Sequence, residues 1–324
     1  MIKNLTRQKA SVLIITLFVV FFLSGIALSI SQAMRINAKI ISRHVQNQKS
    51  LNIAESAVLL ALAELKTDKK DNNYDAFQDG WYGKFQERAK IKSFKFKNNE
   101  NSDIGKYSIS ISDESARMNI NTISVEIIGN LINQLSKTDN SKLIQAVADY
   151  RIDLGQKQIV KSVYQLLKIK LIDKSVFWGE DTNDNNQLDP WEDDQADSQP
   201  DDNGNNFLDL GVKDFFTVFT DGKINLNTVS EKVLLSLPGM TEEGAQAIIN
   251  FRKNQPFANE KDLENITSIG KQTSQFIMRW GSVRSDIFRI IVTAQAIDAK
   301  NYKQIIAVVD RSQLPIKILY WREN

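Results

Sequence analysis

The sequence predicts an α+β fold, in which a long N-terminal α-helix packs on an antiparallel sheet and a large α-helical domain is inserted in that sheet. The first observation is a long apolar N-terminal run that continues into a segment with helical spacing. The second is a pair of strand-like regions, one early and one at the end of the chain. The third is a mainly helical pattern between these regions, which is most simply explained as an insertion.

The N-terminal run is long enough to cross a membrane. It is uncharged from Ala10 to Met34 and follows Lys3, Arg7 and Lys9. At about 1.5 Å per residue it exceeds a bilayer core of roughly 30 Å. The basic residues before the run place the N-terminus in the cytoplasm and the body on the other side. An ordinary secretory signal has a shorter apolar core and a small-residue cleavage site after it, and no such site stands out here.

The membrane segment is expected to continue as one amphipathic helix to about Leu65. Residues 35–65 contain no Pro or Gly, and their apolar residues recur at helical spacing. Two roles remain open for this apolar stripe, which are contact with a partner protein and packing against the protein's own sheet. The stripe consists of Ile53, Ala54, Ala57, Val58, Ala61, Leu62 and Leu65.

Local periodicity predicts the remaining elements of the body. Alternating residues indicate strands, and apolar residues three or four apart indicate helices. The expected elements are a polar loop over 67–105 with a strand near 90–97, a strand at 106–112, helices within 122–172 and at 229–252 and 260–280, and strands at 288–296, 305–310 and 316–320.

Composition argues against several chemistries and singles out one segment. The sequence has no Cys and a single His, His44, so disulfides, thiolate metal sites and histidine-based catalysis are not expected. The net charge is only +2, but residues 180–214 carry 12 Asp or Glu against one Lys, Lys213. These carboxylates repel one another at spacings of a few ångström, so a compact fold of this acidic segment needs cations.

The acidic segment contains two runs with the spacing of calcium loops. In the first run, oxygen-bearing residues stand at loop positions 1, 3, 5, 7, 9 and 12, as in an EF-hand. The second run repeats the first half of this pattern and needs a closing carboxylate, for which Asp193, Asp194, Asp197 and Asp214 are candidates. Oxygen ligands without His or Cys favour Ca²⁺, so we expect one or two structural Ca²⁺ ions rather than a solvated loop. The predicted ligands are Asp181, Asn183, Asn185, Gln187, Asp189 and Glu192 in the first run, and Asp201, Asn203, Asn205 and Asp209 in the second.

Residues 222–281 contain a helix-hairpin-helix signature, with a second copy at 266–270. Such hairpins bind DNA through backbone amides and a helix N-terminus that hold a phosphate. A membrane-anchored DNA-binding or uptake receptor, similar to ComEA, is therefore the alternative function. Charge argues against it, because residues 221–280 carry seven Lys or Arg and seven Asp or Glu. Glu242 and Glu243 also follow the Pro-Gly-Met turn where a phosphate would bind, so the hairpins are predicted to be a packing unit.

The N-terminal segment resembles those of type IV pilins and pseudopilins. These proteins have a basic leader that a prepilin peptidase cuts before the apolar run, and the matching stretch is Arg7-Gln8-Lys9-Ala10 followed by Ser11. The resemblance implies cleavage after Ala10, where the family usually has Gly, and methylation of Ser11. Ile15 stands where the family usually carries Glu. Among type II secretion pseudopilins, the K subunits (the GspK family) typically lack that Glu.

Short motifs of the body are similar, in order, to those of K-type minor pseudopilins. Asp113, Glu114 and Arg117 belong to the first motif and are expected at a strand end that enters a helix, with Asn119 and Asn121 capping the turn. No active site is expected there. The motifs are Asp113–Asn121, Ala148–Asp153, Leu208–Asp209, Phe216–Val218, Ile224–Thr228 and Val283–Phe288.

The resemblance implies a non-enzymatic minor pseudopilin at the tip of a type II secretion pseudopilus, which initiates assembly and supports protein export across the outer membrane. It implies a single-pass inner-membrane protein with a periplasmic body and a calcium-bearing helical domain. The implied partners are the minor pseudopilins I and J, the major pseudopilin, the inner-membrane assembly platform and the prepilin peptidase, with no nucleic acid. The predicted boundaries are a leader at 1–10, a transmembrane part at 11–34, a pseudopilin α+β domain at 35–121 and 285–324, and an inserted α-helical domain at 122–284 that includes the acidic segment 180–214 and the hairpins 222–281.

Overall fold

The computed structural model describes residues 3–87, 90–97, 101–136, 141–153, 159–169, 172, 174–182 and 209–324. Its helices are α1 (Lys3–Asp71), α2 (Gly80–Gly83), α3 (Val125–Ser136), α4 (Ser141–Asp153), α5 (Lys174–Trp178), α6 (Val212–Phe215), α7 (Glu231–Ser236), α8 (Glu242–Asn254) and α9 (Lys271–Trp280). Its strands are β1 (Gln86–Glu87), β2 (Lys90–Ile91), β3 (Ser93–Lys97), β4 (Asp103–Asp113), β5 (Met118–Asn119), β6 (Phe216–Thr217), β7 (Ile224–Asn225), β8 (Gly281–Ser282), β9 (Ile287–Ala296), β10 (Lys303–Asp310) and β11 (Lys317–Glu323). Short 3₁₀ turns occur at Glu114–Ala116, Val163–Lys168 and Glu260–Asn265.

A five-stranded antiparallel sheet organises one half of the body. The strand order is β11-β10-β9-β4-β3, and each neighbouring pair is antiparallel. The adjacent strands β4 and β9 are separated in the chain by residues 114–286. The helical part therefore leaves and re-enters the sheet at one end of two neighbouring strands, and the predicted fold class is confirmed.

The C-terminal half of α1 packs across one face of this sheet. Ala54, Ala57 and Ala61 are fully buried, and their small side chains let the helix approach the strands closely. Gly105 of β4 also permits this approach, because a Cβ at that position would lie 2.5 Å from the Cδ1 atom of Ile53. The other buried members of this core include Val58, Leu65, Trp81, Ile109, Ile111, Phe288, Ile290, Val292, Ile305, Ala307 and Val309.

This packing decides the role of the apolar stripe on α1. From Ile53 to Leu65 the stripe is buried mainly against the protein's own sheet, so the interpretation of the stripe as a partner-facing surface is wrong. The helix also continues to Asp71 instead of ending near Leu65. Its last turn is held by Lys69, whose ammonium donates to the carbonyl of Ser312 at 2.6 Å.

The region expected to be a polar loop is more ordered than its composition indicates. Besides the end of α1, it contains α2 and the hairpin of β1 and β2. Trp81 of α2 is fully buried and packs edge-on against Phe288, with the ring centroids 5.2 Å apart. Trp81, together with Tyr82 and Phe85, therefore anchors this segment in the core beneath the sheet.

A second hydrophobic core organises the inserted helices. Two short parallel strand pairs, β5 with β6 and β7 with β8, link segments that are far apart in the chain. The pair of β7 and β8 brackets the helix-hairpin-helix region, so that region begins and ends at one place. The fully buried members of this core include Met118, Ile120, Ile128, Leu131, Val229, Val233, Leu234, Ile248 and Phe257.

Candidate functional site

The two ends of the acidic segment meet at a short antiparallel bridge. Gly179 pairs with Leu210, and the backbone N–H of Glu180 donates to the carbonyl of Asp209 at 2.9 Å. Gly179 has a φ of +62°, and a Cβ there would collide with the backbone of Asp209 and Leu210, so the bridge requires Gly. The chain therefore leaves and returns at one point, with Asp181 and Asp209 beside it.

Lys213 neutralises carboxylates at this closed base. Its ammonium lies 3.1 Å from Oδ2 of Asp181 and 2.9 Å from Oδ1 of Asp214. All three side chains are at most 4% exposed. Burial raises the pKa of Asp214, and the neighbouring Lys213 charge opposes that rise. The single basic residue of the acidic segment thus serves as a covalently attached counter-cation.

Two of the ten predicted calcium ligands lie within the described residues. The carboxylate of Asp181 is buried against Lys213, and Asp209 is half-buried at the bridge. They lie on either side of residues 183–208, whose predicted metal ligands all bind through oxygen, and oxygen ligands suit a hard cation such as Ca²⁺. Of the candidate closing carboxylates, Asp214 is paired with Lys213. The predicted residues outside the described ones are Asn183, Asn185, Gln187, Asp189, Glu192, Asp193, Asp194, Asp197, Asp201, Asn203 and Asn205.

Glu114, at the end of β4, is a buried link between the sheet and the inserted helices. Its Oε1 accepts hydrogen bonds from Arg117 and Arg289, both at 2.6 Å, and its Oε2 accepts from the hydroxyl of Thr217. Burial alone would raise the pKa of Glu114, but the two arginines and Thr217 outweigh it and hold the pKa below its usual range. Arg117 also donates to the carbonyl of Asp214 at 2.9 Å, so this cluster reaches the base of the acidic segment.

Asp113 joins the sheet to the helix-hairpin-helix region. Its Oδ2 accepts from Asn225 at 2.8 Å and from the hydroxyls of Thr228 and Ser285, both at 2.6 Å. Its Oδ1 accepts from the backbone N–H of Ser115 at 2.7 Å. Burial raises the pKa of Asp113, and these donors oppose the rise. A carboxylate whose two oxygens accept four hydrogen bonds in this way is a structural junction rather than a free acid or base.

The other residues of the motifs also tie distant segments together. Arg151 donates to the carbonyl of Asn121 at 3.1 Å. Asn121 exchanges two hydrogen bonds with the backbone of Val160, at 3.0 and 2.9 Å. Asn227 makes the same exchange with the backbone of Phe257, at 3.0 and 2.8 Å. The motifs therefore consist largely of polar side chains that satisfy loop backbone groups inside the fold.

A further buried cluster, the Arg311 cluster, lies where α1, the segment after it and the end of β10 meet. Carboxylate oxygens of Asp68, Asp75 and Asp79 lie within 4.8 Å of one another. Arg311 binds the first two of these carboxylates, at 2.8 Å for Asp68, and its guanidinium lies 4.4 Å from the ring centroid of Phe288. One guanidinium thus lies among three buried carboxylates and pairs with two of them.

The pKa values of this cluster make stability depend on pH. Burial raises the pKa of Asp75 to about 7 and that of Asp79 to about 6, from an ordinary value of 3.8. The folded protein therefore binds protons that the unfolded chain has already released. The stabilisation from these groups is complete below about pH 4 and is lost as the pH rises through about 6 and 7.

We predict that Asp79→Asn makes the protein more stable at pH 8 by on the order of 2 kcal/mol and leaves it unchanged near pH 4. The backbone N–H of Ala76 donates a hydrogen bond to Oδ2 of Asp79 at 2.7 Å, and the amide oxygen of Asn can accept the same bond. Thermal unfolding between pH 4 and pH 8 measures the effect. Asp298→Asn, at an exposed carboxylate, is the control, and its unfolding temperature should change with pH as that of the wild-type protein does. The prediction would be contradicted if the unfolding temperature of Asp79→Asn also showed the wild-type dependence on pH.

The helix-hairpin-helix region packs as a unit. The side chain of Thr241 caps α8, and Glu242 and Glu243 occupy the first turn of that helix. The hydroxyl of Thr273 in α9 donates to the carbonyl of Pro238 at 3.1 Å, so the second hairpin contacts the turn of the first. Because two carboxylates stand at the N-terminus of α8, this end of the helix repels a phosphate.

A long helix that crosses an antiparallel sheet, with helices inserted between two neighbouring strands, is the pseudopilin-like class of fold. A chain of the crystal structure of the GspK-GspI-GspJ complex from the enterotoxigenic Escherichia coli type 2 secretion system is similar to this one. The similarity covers 90% of this chain and 99% of that chain, with a TM-score of 0.56 and 12% sequence identity, and it shows the fold. A family model described as a helix-hairpin-helix motif matches residues 220–278, which confirms the predicted hairpins. A search of curated proteins for relatives in sequence gave no match.

Proposed function

We propose that this protein is a minor pseudopilin of the GspK type, located at the tip of a type II secretion pseudopilus, where it starts assembly and supports export across the outer membrane. The observation that carries the proposal is the fold, in which residues 114–286 interrupt a pseudopilin-like sheet between β4 and β9. The structurally similar protein is in a complex with GspI and GspJ. By analogy, we propose minor pseudopilins of the I and J types as partners of this chain.

Two features support a position at the tip. Subunits within a pseudopilus stack closely above and below one another, and a body enlarged by residues 114–286 would obstruct that stacking. Ile15 replaces the membrane-embedded Glu that filament subunits use, and a buried carboxylate is costly unless a neighbour pairs with it. A subunit without this Glu suits the first position of the assembly, where no earlier subunit has to be joined.

The N-terminal helix supplies the membrane anchor in this proposal. A segment of α1 that begins at Val12 is long and apolar enough to cross a membrane, by length and composition. We propose a single crossing of the inner membrane, with the N-terminus in the cytoplasm and the body in the periplasm. We further propose that the prepilin peptidase removes residues 1–10 and that Ser11 is then methylated. The major pseudopilin and the inner-membrane assembly platform are the remaining proposed partners.

The inserted helical part has a structural role in this proposal. The charged groups where the sheet meets the insertion, including Asp113, Glu114 and Asp214, are committed to hydrogen bonds or ion pairs, which favours a structural role over an enzymatic one. We propose that one or two Ca²⁺ ions stabilise the acidic segment. We also propose the domain boundaries predicted from the sequence, with an α+β domain at 35–121 and 285–324 and an inserted α-helical domain at 122–284. For the DNA-uptake alternative, the helix-hairpin-helix match is compatible, but no observation favours it.

Processing and partner binding test this function together. We predict that the mature chain, isolated from the membrane of a cell with an active prepilin peptidase, begins with N-methyl-Ser11 and co-purifies with I-type and J-type minor pseudopilins. Intact-mass spectrometry and identification of the bound chains are the measurements. The control is the same preparation from cells with an inactivated peptidase, in which Met1 should remain. A chain that begins at Met1 despite an active peptidase, or that brings no pseudopilin with it, would refute the proposal.

A further inference from the structure

A basic stripe runs along α1 directly after the membrane segment. Arg35, Lys39 and Arg43 follow one another at intervals of four residues, so they lie along one side of the helix. All three are exposed, and residues 35–54 contain no Asp or Glu. At about 1.5 Å per residue, the stripe extends roughly 12 Å from the end of the apolar run. This distance covers the headgroup layer of a bilayer.

The stripe lies on the side of α1 that carries the sheet. Ser50, two helical turns after Arg43, accepts a hydrogen bond from the backbone N–H of Ala296 at the end of β9, at 3.0 Å. The turn between β9 and β10 is therefore at the membrane-proximal end of the sheet, beside Arg43. A recess of about 200 Å³ opens there, and its lining combines two cations with three amides: Arg43, Lys300, Gln46, Asn47 and Asn301.

The turn beside the recess also exposes apolar and aromatic side chains. Ile297 is 66% exposed and Tyr302 is 56% exposed. Tyr is enriched where proteins meet the membrane interface. The turn and its flanks carry Lys300 and Lys303 against one acidic residue, Asp298. Exposed apolar groups among basic ones are typical of a surface that rests on anionic lipid headgroups.

The length of the apolar run brings this surface toward the bilayer. From Ala10 to Met34 the helix is about 37 Å long, whereas the hydrocarbon core is about 30 Å thick. Helices with such an excess adapt by tilting, and their basic and aromatic anchors set the direction of the tilt. Because the basic stripe and the sheet share one side of α1, a tilt toward the stripe lowers the recess and the turn toward the headgroups.

We propose that the stripe, the recess and the turn between β9 and β10 form a docking surface for anionic phospholipid headgroups on the outer face of the inner membrane. Arg43 and Lys300 pair with the phosphate, and the amides of Asn47 and Asn301 donate to headgroup oxygens. The body is thereby held tilted against the bilayer before assembly. The inference rests on the membrane anchor of the proposed function and not on its role in assembly.

Energy transfer in nanodiscs tests this surface with the full chain. The chain contains no Cys, so Ser102→Cys, at the same end of the sheet, gives a unique site for a donor fluorophore. The acceptor is a lipid with a labelled headgroup. Transfer efficiency should be higher in nanodiscs with about 30 mol% phosphatidylglycerol than in phosphatidylcholine alone, and high salt should abolish the difference.

Two double variants distinguish binding by this surface from a general attraction between a basic protein and anionic lipid. In Arg43→Gln/Lys300→Gln, the increase in transfer efficiency caused by phosphatidylglycerol should be lost. Arg284→Gln/Lys317→Gln removes the same charge at the opposite end of the sheet, where both residues are exposed, and should keep it. Equal efficiency in both lipids, or equal losses in the two variants, would overturn the proposal.

A competition experiment with inorganic phosphate distinguishes a lipid-binding surface from a site for soluble phosphate. Inorganic phosphate added at constant ionic strength should not reduce the increase in transfer efficiency caused by phosphatidylglycerol. A reduction would identify a site for soluble phosphate instead of a lipid surface. A chain that does not stay with nanodiscs in size-exclusion chromatography overturns the membrane anchor and this proposal with it. A chain that stays but shows no lipid dependence overturns this proposal alone.

Discussion

Arg311→Met is expected to lower the free energy of unfolding of the body by about 3–5 kcal/mol at pH 8, because it leaves buried carboxylates without their cation. Arg311 is 3% exposed and binds Asp68 and Asp75. It also donates to the carbonyls of Leu65 and Ser285, at 3.0 and 3.2 Å. Met fills much of the same volume but has no hydrogen-bond donor, so the variant loses the ion pairs and hydrogen bonds of Arg311 while it keeps most of the packing.

The loss of unfolding free energy in Arg311→Met should be smaller at pH 5 than at pH 8. The pKa of Asp75 is about 7 and that of Asp79 about 6, so both accept protons on acidification and no longer need the guanidinium. Arg311→Met/Asp75→Asn should recover part of the stability at pH 8, because one of the unpaired charges is then gone.

Urea unfolding of the full chain in nanodiscs, followed by tryptophan fluorescence, measures the effect of Arg311→Met. Arg279→Met is the matched control at an exposed arginine and should change stability by less than about 0.5 kcal/mol. An Arg311→Met variant that resembles this control, or one with the same loss at pH 5 and pH 8, would show that the Arg311 cluster does not stabilise the fold through charge.

Removal of calcium is expected to have an effect of similar size. An ion present at a hundred times its dissociation constant adds about 2.7 kcal/mol, and two such ions add about twice that. EDTA should therefore lower the unfolding temperature, and added Ca²⁺ should restore it. Because Lys213 also pairs with Asp181 and Asp214 at the base of the segment, we expect a shift of the transition rather than loss of the whole helical part.

Two variants connect this shift to the predicted loop. Glu192→Gln removes the carboxylate that would bind Ca²⁺ with both oxygens at the last loop position, and it should reduce the response to EDTA. Asp202→Asn removes a neighbouring acid that is not at a predicted ligand position and should keep the wild-type response. Identical melting curves with Ca²⁺ and with EDTA in the wild-type protein would contradict structural calcium.

Local patterns predicted those parts of the fold that local physics controls. The strand pattern at 288–296 corresponds to β9, and the helical spacing of 35–65 corresponds to the middle of α1. Period and burial are coupled within one element, because alternate residues of a strand and every third or fourth residue of a helix share a face. The role of the stripe on α1 stayed open at that level, since an apolar face packs equally well on a sheet or on a partner.

The Arg311 cluster shows why the rest could not be predicted. Asp68 lies within a polar stretch of the sequence, and Arg311 follows the last residue of β10. Thus 243 positions separate two residues whose side-chain atoms lie 2.8 Å apart. The sequence does not distinguish the three Asp of this cluster from Asp71 and Asp103, which lie in the same segment expected to be a polar loop. Phe288 packs against the Arg311 guanidinium and Trp81 packs against Phe288, and these contacts belong to the assembled core and to no single element.

By itself, the sequence determined the anchor-length apolar helix, the strands of the sheet, the hairpins at 222–281 and the concentration of acids at 180–214, because each depends on neighbours in the chain. Only the tertiary structure decided that α1 buries its stripe on its own sheet and that Lys213 closes the base of the acidic segment. It also decided that Asp113 and Glu114 are junctions and that a basic stripe shares one side of α1 with the sheet. The physical reason is that burial and charge pairing depend on which segments meet, and here residues 114–286 bring distant segments together beside two adjacent strands.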